Sequence, residues 1–382
     1  MQRRSAMENR LKGILQTIAR DGGLCEDAVT AANERQAVLA KPTGALGKLE
    51  DISIHMAGIT GNVLNDIDKK AIVIMSADNG VVEEGVASAP QSVTLSQTIN
   101  FTRHYTGVSS IARHFGIDLL VVDMGVKLPI PNKLYTDSPI ENGRLTGKIL
   151  NRSLGRGTKN LAKEPAMTRE QAITGILTGV EAACAIKNCG YDIFGVGEMG
   201  IGNTTTSACV LAALTGKPAA AVVGRGGGLN DQGLTKKTRI VSRAAAGCEG
   251  DDVIGILSKV GGFDICAMTG AFLGAAYYRI PVVIDGYISA VAALAASKMA
   301  PNAVNFMFGS HLSKEQGYMV AMEALGISPY FDLSMRLGEG SGCPISFNII
   351  ETACAAMSGM ATFDEGAIDA DYLAEAKKGN FF

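Results

Sequence analysis

The chain alternates short, continuously apolar runs with longer stretches in which apolar residues recur at every third or fourth position. Continuous runs of this length are typical of buried strands, and the three-to-four spacing is typical of helices. Five runs predict strands, at 71–76, 118–123, 191–194, 219–223 and 280–285. Because buried strands that alternate with helices form parallel sheets, we predict an α/β fold with a mostly parallel, doubly wound (Rossmann-like) sheet and helices on both faces.

Both ends of the chain lack strand patterns. Apolar residues at helical spacing predict helices at 8–35 and 49–58, and again at 345–360. We expect these helices to form one small helical domain built from both chain ends. The expected division is 1–65 for its N-terminal part, 66–344 for a large α/β catalytic domain and 345–382 for its C-terminal part. The segment 129–165 is less regular and predicts a long loop or a short hairpin.

Composition narrows the possible functions. The chain has 37 acidic and 35 basic side chains and a formal charge of −2, so it lacks the excess of Lys and Arg that nucleic-acid binding requires. The sequence contains no stretch of about 18 apolar residues, so no membrane span is predicted. The basic residues near the start are not followed by an apolar run, so no signal peptide is predicted. Eight scattered cysteines without a C-x-x-C pair predict free thiols in a reducing compartment. We therefore expect a cytoplasmic protein that binds neither nucleic acid nor membrane.

A glycine-rich segment at 194–206 follows one predicted strand and precedes a predicted helix. Glycines at 195, 197 and 200 satisfy the G-x-G-x-x-G pattern of dinucleotide sites. That pattern needs an acid about 20 residues later for the ribose, yet no Asp or Glu occurs between Glu198 and Asp231. Without that acid the segment still offers backbone N–H groups, the Asn203 amide and the Thr204 hydroxyl at a predicted helix N-terminus. Together these groups could bind one phosphate. The alternative is that the glycines only allow close packing of strand and helix.

A second glycine cluster occupies 224–228 and is followed by basic residues. Arg225, Lys236 and Lys237 could supply positive charge to an anion, or the lysines could form a solvated helix face. The residues alone leave both interpretations open. No Walker A motif accompanies the cluster, which argues against an ATPase.

An acid between two glycines is the third candidate. Glu339 lies between Gly338 and Gly340, which allow a ligand to approach the backbone. Desolvation in such a place raises a carboxyl pKa toward the range that suits a general base. The alternative is a carboxylate that caps a helix or a turn.

Histidines and serines offer little chemistry. The four histidines show neither H-E-x-x-H nor a spacing shared with cysteines, so no metal site is predicted. His311, after a glycine, is the only one expected near a pocket. The G-x-S-x-G nucleophile elbow is also absent.

Six segments together resemble one enzyme family. The last is M-R-L-G-E-G-S-G at 335–342, and the others lie at 41–50, 77–81, 197–205, 261–264 and 283–286. In this order they resemble nicotinate-nucleotide:5,6-dimethylbenzimidazole phosphoribosyltransferases, from about residue 41 to 360. The resemblance implies transfer of 5-phosphoribosyl from nicotinate mononucleotide to 5,6-dimethylbenzimidazole or a related base. The products would be nicotinate and α-ribazole 5′-phosphate, used in assembly of the cobalamin nucleotide loop.

The resemblance also implies a homodimer and no cofactor. No metal is needed for the leaving group, because nicotinate departs from the sugar as an uncharged ring nitrogen. Two alternatives from other classes stay open on the residues alone: an NAD-dependent dehydrogenase and a non-catalytic nucleotide-binding module.

Matching motifs assign site residues to this chain. Glu339 would be the base that takes the N–H proton of the benzimidazole, and Glu198 a second acid near the ribosyl centre. The phosphate and ribose would be bound by Gly200, Asn203, Thr204, Gly226, Lys237 and Asp264. The base pocket would contain Asn79, Ala89, Gln97 and Leu337.

Two of these positions depart from the family pattern. Many members have His where Asn79 stands, and some have Ser at the position of Ala89. Asn79 cannot titrate, and Ala89 removes a hydroxyl from the base pocket. A missing hydrogen-bond partner changes which ligand is favoured. The acceptor therefore stays open between a benzimidazole, a purine and a phenol.

Overall fold

Seven parallel strands form the central sheet of the computed structural model, which describes residues 2–369. In sheet order they are β3 (Tyr135–Thr136), β6 (Ile149–Asn151), β2 (Asp118–Gly125), β1 (Lys70–Ala77), β7 (Ile193–Met199), β8 (Val282–Ile284) and β9 (Met307–Phe308). A separate antiparallel hairpin consists of β4 (Ile140–Glu141) and β5 (Arg144–Leu145). The central strands β1 and β7 are almost wholly buried, as expected for a sheet covered on both faces. The predicted α/β fold with a mostly parallel sheet is confirmed.

Fourteen α-helices accompany the strands in the described residues. They are α1 (Gln2–Asp21), α2 (Glu26–Val38), α3 (Lys48–Thr60), α4 (Ser92–Phe101), α5 (Gly107–His114), α6 (Arg169–Asn188), α7 (Asn203–Thr215), α8 (Ala219–Val222), α9 (Asp231–Ala246), α10 (Val253–Val260), α11 (Phe263–Tyr278), α12 (Tyr287–Met299), α13 (Tyr318–Leu325) and α14 (Cys343–Gly359). Short 3₁₀ helices occupy Gly80–Glu84, Asn132–Leu134 and Pro301–Phe306. Between residues 2 and 369, no helix combines the length and the apolar character that a membrane span needs. All eight cysteines are free thiols.

The described residues divide into two units. The larger unit contains 2–22 and 69–346, and the smaller contains 23–68 and 347–369. In the smaller unit, Ala28, Ala32, Ala57 and Met357 form a shared core, and the Arg35 Nε–H donates to the Met357 carbonyl at 2.8 Å. Both chain ends therefore contribute helices to it. Helix α1 belongs to the larger unit instead, where it packs on α6 and α11. The domain boundaries at 65/66 and 344/345 stay a prediction.

Two element predictions were wrong. The run 219–223 forms helix α8 rather than a strand, because alanine favours helix and Pro218 stands just before the first turn, where its missing N–H costs nothing. The predicted helix 8–35 is interrupted between α1 and α2. A Cβ on Gly22 would lie 2.3 Å from the Ile18 carbonyl oxygen, so the chain leaves the helix at this glycine. In segment 129–165 the expected hairpin exists as β4 and β5, while β3 and β6 extend the main sheet.

Helices α6 and α11 cross so closely that glycine is required on both. A Cβ on Gly270 would lie 1.8 Å from the Ile176 carbonyl oxygen, and one on Gly179 would lie 1.9 Å from the Ala267 carbonyl oxygen. We expect G270A to lower the free energy of unfolding by about 3 kcal/mol, because the two backbones must separate. Urea denaturation measures this change.

Gly13 provides the matched control. It lies in α1, and a Cβ there would meet no atom within 4 Å. G13A should leave stability unchanged or raise it by up to about 1 kcal/mol, since alanine favours helix. Equal denaturation midpoints for G270A and G13A would contradict the close crossing.

Candidate active site

The carboxyl ends of β1, β7 and β8 meet at one edge of the sheet because the three strands are parallel. A cavity of about 290 Å³ opens at this edge. Eight of the predicted site residues line it: Gln97, Glu198, Gly200, Asn203, Thr204, Gly226, Leu337 and Glu339. A larger groove of about 720 Å³ runs along α9, and of its described wall residues none belongs to the predicted site. The smaller cavity is therefore the candidate active site.

Four predicted residues lie outside the described wall of this cavity. Asp264, Asn79 and Lys237 are fully buried behind it. A Cβ built on Gly200 would lie 3.1 Å from Asp264 Oδ2 and 3.2 Å from Asn79 Nδ2, so both side chains lie directly behind that glycine. Ala89 is half-buried and is not among the residues that line the cavity, although the Ser88 hydroxyl beside it would lie 2.7 Å from a Cβ on the wall residue Gly227. A direct contact between Ala89 and the base therefore stays a prediction.

Glu339 holds its carboxylate inside the cavity. Oε1 accepts from Gln97 Nε2 at 3.1 Å, and Oε2 accepts from the Val108 N–H, in the first turn of α5, at 3.3 Å. Burial raises the pKa of Glu339, although both donors oppose the rise. A carboxylate that is buried, hydrogen-bonded and open to a cavity can act as a base. The capping alternative is also realised, since the same carboxylate meets the positive end of a helix.

Glu198 lies beside Glu339 at the end of β7. Its Oε1 accepts from the Glu339 N–H at 3.4 Å, and its Oε2 contacts Asn203 Nδ2. Burial raises the pKa of Glu198 to about 8, and the charges of Asp264 and Asp285 add to the rise. The cavity thus contains two carboxyl groups whose surroundings differ, as is common where acids have separate roles.

Three elements form an anion nest, which we define as the N-terminus of α7, the loop 224–228 and Lys237. The buried Lys237 Nζ donates to Thr204 Oγ1 at 2.9 Å and to the Gly224 carbonyl at 3.0 Å. A Cβ on Gly226 would lie 2.9 Å from Thr204 Oγ1, so the loop lies against the helix start. Burial lowers the pKa of Lys237 to about 8. Peptide N–H groups, a helix N-terminus and an ammonium group together favour an anion.

The other basic residues of this region bind elsewhere. Arg225 pairs with Asp231 at 2.5 Å, and Lys236 pairs with Glu84 at 3.5 Å. Of the two interpretations left open by the sequence, the solvated face therefore applies to Lys236. Lys237 is instead buried beside Thr204.

The G-x-G-x-x-G pattern does not form a dinucleotide turn. Gly195 and Gly197 lie within β7 itself rather than after it. A Cβ on Gly197 would lie 2.3 Å from the Glu339 carbonyl oxygen, so this glycine lets the Glu339 loop lie against the strand. Close packing therefore explains Gly197, although its neighbour is the Glu339 loop and not the expected helix. Because both glycines lie in the strand and not in a turn after it, the dehydrogenase hypothesis also loses its phosphate-binding turn.

Comparison with known proteins gives one consistent answer. A family model described as "Phosphoribosyltransferase" matches residues 23–368. A nicotinate-nucleotide–dimethylbenzimidazole phosphoribosyltransferase of Clostridium perfringens is 54% identical over 357 residues, 93% of this chain and 95% of that relative. One of Clostridium tetani is 44% identical over 371 residues, 96% of this chain and 99% of the relative. The chain belongs to this phosphoribosyltransferase family.

Solved structures agree with this membership. The crystal structure of CobT from Thermus thermophilus superposes with a TM-score of 0.84 at 36% identity, covering 90% of this chain and 99% of CobT. Both the fold and the family resemblance read from the six segments are thereby confirmed. The roles of individual site residues in this phosphoribosyltransferase stay proposals.

Several residues of the described cavity wall were not among the predicted site residues, and Asp285 is the one among them that binds the Glu339 loop. Asp285 lines the cavity, and its signals in the sequence were an acid at the end of a predicted strand and a place in the family segment 283–286. His311, expected near a pocket, is buried with Nδ1 3.8 Å from Asp285 Oδ1, behind the described wall. Both residues belong to the support of the Glu339 loop in this phosphoribosyltransferase.

Proposed function

We propose that this phosphoribosyltransferase moves the 5-phosphoribosyl group from nicotinate mononucleotide to 5,6-dimethylbenzimidazole or a related base. Nicotinate and α-ribazole 5′-phosphate are the products, and the β-glycosidic bond becomes α. One observation carries the proposal: the Glu339 carboxylate and the anion nest belong to one cavity of about 290 Å³. A nucleotide bound by its phosphate at the nest would direct its sugar toward the two carboxyl groups.

The nest binds the 5′-phosphate of the substrate. Thr204 and Gly226 line the cavity, and Lys237 lies behind them with its ammonium group on Thr204. Phosphate binding far from the reacting carbon fixes the sugar, and fixed geometry lowers the barrier to the reaction at C1′. Glu198, close to Glu339, is placed to orient the ribose, and its ionised form, which predominates above its pKa of about 8, would stabilise positive charge as it develops on the sugar.

Transfer exchanges one C1′–N bond for another. The bond to nicotinate breaks, and its electron pair stays on the nicotinate nitrogen. The incoming base forms a new bond to C1′ through its lone pair, and the proton on its other ring nitrogen becomes acidic as positive charge develops. Glu339 takes this proton, and its raised pKa makes it a better acceptor than an ordinary glutamate.

The proposed base pocket lies beside Gln97, Glu339 and Leu337. Leu337 is 58% exposed and supplies an apolar surface at the cavity. A flat aromatic heterocycle with an N–H group fits such a surface together with the Glu339 acceptor. The family resemblance implies His at the position of Asn79 in many members and Ser at that of Ala89 in some, so we do not restrict the acceptor to 5,6-dimethylbenzimidazole.

Incubation with nicotinate mononucleotide and a panel of bases tests the function. We expect nicotinate release that depends on an added benzimidazole, and a product whose mass equals ribosyl phosphate plus that base. Mass spectrometry follows both products, and NAD⁺ with oxidisable alcohols serves as the control. Tight binding of NAD⁺ together with no release of nicotinate would reject the transferase and favour the dehydrogenase.

Assembly and location are further proposals. We infer a homodimer from the family resemblance, and sedimentation equilibrium with the full chain decides between one and two copies. The eight free thiols fit a reducing compartment, which supports the cytoplasm as the location.

A further inference from the structure

Asp285 binds the backbone of the loop that carries Glu339. It directly follows β8, and its side chain is 3% exposed. Oδ2 accepts from the Gly340 N–H at 3.0 Å, and Oδ1 accepts from the Gly342 N–H at 2.7 Å. One buried carboxylate therefore holds two peptide groups on the C-terminal side of Glu339.

The held segment has an unfavourable backbone. Gly338, Glu339 and Gly340 have φ values of 82°, 66° and 93°, all in the left-handed region. Glycine adopts this region without strain, but glutamate does not. A non-glycine residue persists there only when its surroundings impose the conformation. Hydrogen bonds from peptide N–H groups to a carboxylate are strong enough to do so.

Asp285 is itself fixed from three sides. Its N–H donates to Ser289 Oγ at 3.2 Å, and the Ser310 hydroxyl donates to its carbonyl at 2.6 Å. A Cβ on Gly342 would lie 2.3 Å from His311 Nδ1 and 3.0 Å from Asp285 Oδ1. Asp285 is therefore a rigid support, and the loop can approach it only through glycine.

We propose that Asp285 is a positioning residue for the transfer reaction. Its carboxylate holds Gly340 and Gly342 so that the Glu339 side chain stays in the cavity at the N-terminus of α5. The role rests on the proposed function, since it matters for turnover only if Glu339 accepts the proton of the incoming base.

The negative charge of Asp285 affects the pKa of Glu339, so the pH profile of the reaction tests the proposal independently of protein stability. The titratable groups that face Asp285 are Glu198, Glu339, His311, Tyr318 and Cys343. Burial is the main cause of the raised pKa of Glu339, and the negative charge of Asp285 adds to it. D285N removes that charge, so the pKa of Glu339 falls. The acid limb of kcat/KM should therefore move to lower pH, because the ionised carboxylate is the active form.

The experiment compares D285N with D123N. Asp123 is an equally buried strand aspartate whose Oδ1 accepts from the Gly125 and Val126 N–H groups at 2.9 and 2.8 Å, away from the Glu339 loop. We expect D285N to lower kcat by about 10- to 100-fold, because a small displacement of the base is costly. Its affinity for nicotinate mononucleotide should stay that of the wild type. D123N should keep both the wild-type kcat and the wild-type acid limb.

Folding is checked by thermal unfolding of each variant. S310A removes the hydrogen bond from the Ser310 hydroxyl to the Asp285 carbonyl and the 3.2 Å contact of that hydroxyl with His311 Nδ1, and leaves the Asp285 carboxylate in place, so it provides a milder second variant. It should lower kcat in the same direction by a smaller factor with binding unchanged. If D285N fails to fold, a wild-type kcat in S310A rejects the proposal.

Each result decides between the two proposals. No turnover by the wild type rejects the proposed function and the role of Asp285 with it. Wild-type turnover with an unchanged kcat in D285N, or with an acid limb that does not move to lower pH, rejects the role of Asp285 alone. A lowered kcat, a shifted limb and unchanged nucleotide binding support it.

Discussion

The E339Q variant is expected to lose about 10²- to 10⁴-fold in kcat, as is usual when a general base is removed, and to bind nicotinate mononucleotide as the wild type does. Glutamine has the size of glutamate and keeps one oxygen for either Gln97 or Val108, so the loop can keep its place. The amide has no basic oxygen and cannot take the proton of the incoming heterocycle. Pre-steady-state release of nicotinate, with calorimetry for binding, measures the two effects separately.

The pH profile distinguishes a lost base from a lost fold. In the wild type, kcat/KM should rise as pH passes through the pKa of Glu339, which burial raises above its ordinary value. E339Q should lack this rise. The exposed Glu323 of α13 offers a matched control, and E323Q should keep both rate and profile. Full turnover by E339Q would leave the proposed mechanism without its base. Loss of turnover in E323Q would mean that the loss in E339Q is not specific to Glu339.

The sheet could be predicted from the sequence because its evidence is local. The runs at 71–76 and 118–123 are rich in Ile, Val and Leu, and both became strands of the core. The run at 219–223 failed because a short apolar segment suits a buried helical turn as well as a strand, and three of its residues are alanine. The predicted helix 8–35 covers both α1 and α2, because the spacing of apolar residues continues across Gly22 and does not show that the helix ends there.

The candidate site was predictable only in part, because some of its contacts join segments that are far apart in the sequence. An acid between glycines and a helix start with Asn203 and Thr204 are patterns within one segment. The contacts of Asp285 with Gly340 and Gly342 span 55 and 57 residues, and the contact between Gln97 and Glu339 spans 242. Such contacts depend on which strands become neighbours in the sheet. No spacing in the sequence encodes them.

The sequence left open whether Lys237 belongs to a solvated helix face or to an anion site, and the structure excludes the solvated face. Its neighbour Lys236 is exposed and ion-paired, whereas Lys237 is wholly buried and bonded to two oxygens. A buried ammonium group is costly unless it is hydrogen-bonded and near negative charge. The negative charge of Glu315 favours the ammonium form of Lys237, and the phosphate of the proposed substrate would add a second negative charge.

K237M is therefore expected to weaken binding of nicotinate mononucleotide by about 10- to 100-fold, because hydrogen bonds to a charged group are lost and two oxygens are left without their donor. The Thr204 hydroxyl and the Gly224 carbonyl both depend on the Lys237 ammonium group. Isothermal titration calorimetry with the nucleotide gives the affinity. K236M is the control and should bind as the wild type does, since its ion pair with Glu84 lies on the surface and contributes little.

The pH dependence of this affinity tests whether the positive charge of Lys237 contributes to phosphate binding. Burial lowers the pKa of Lys237 to about 8, so the side chain is charged below that pH and neutral above it. A bound phosphate favours the charged form, and the affinity should therefore fall as pH rises from 8 to 10. Measurement from pH 7 upward avoids the second ionisation of the phosphate, near pH 6. K237M should show a smaller fall over the same range, because Glu198, whose pKa is also about 8, still ionises in the cavity. A wild-type affinity that stays constant between pH 7 and 10, or an equal fall in K237M, would mean that the ammonium group of Lys237 does not bind the phosphate.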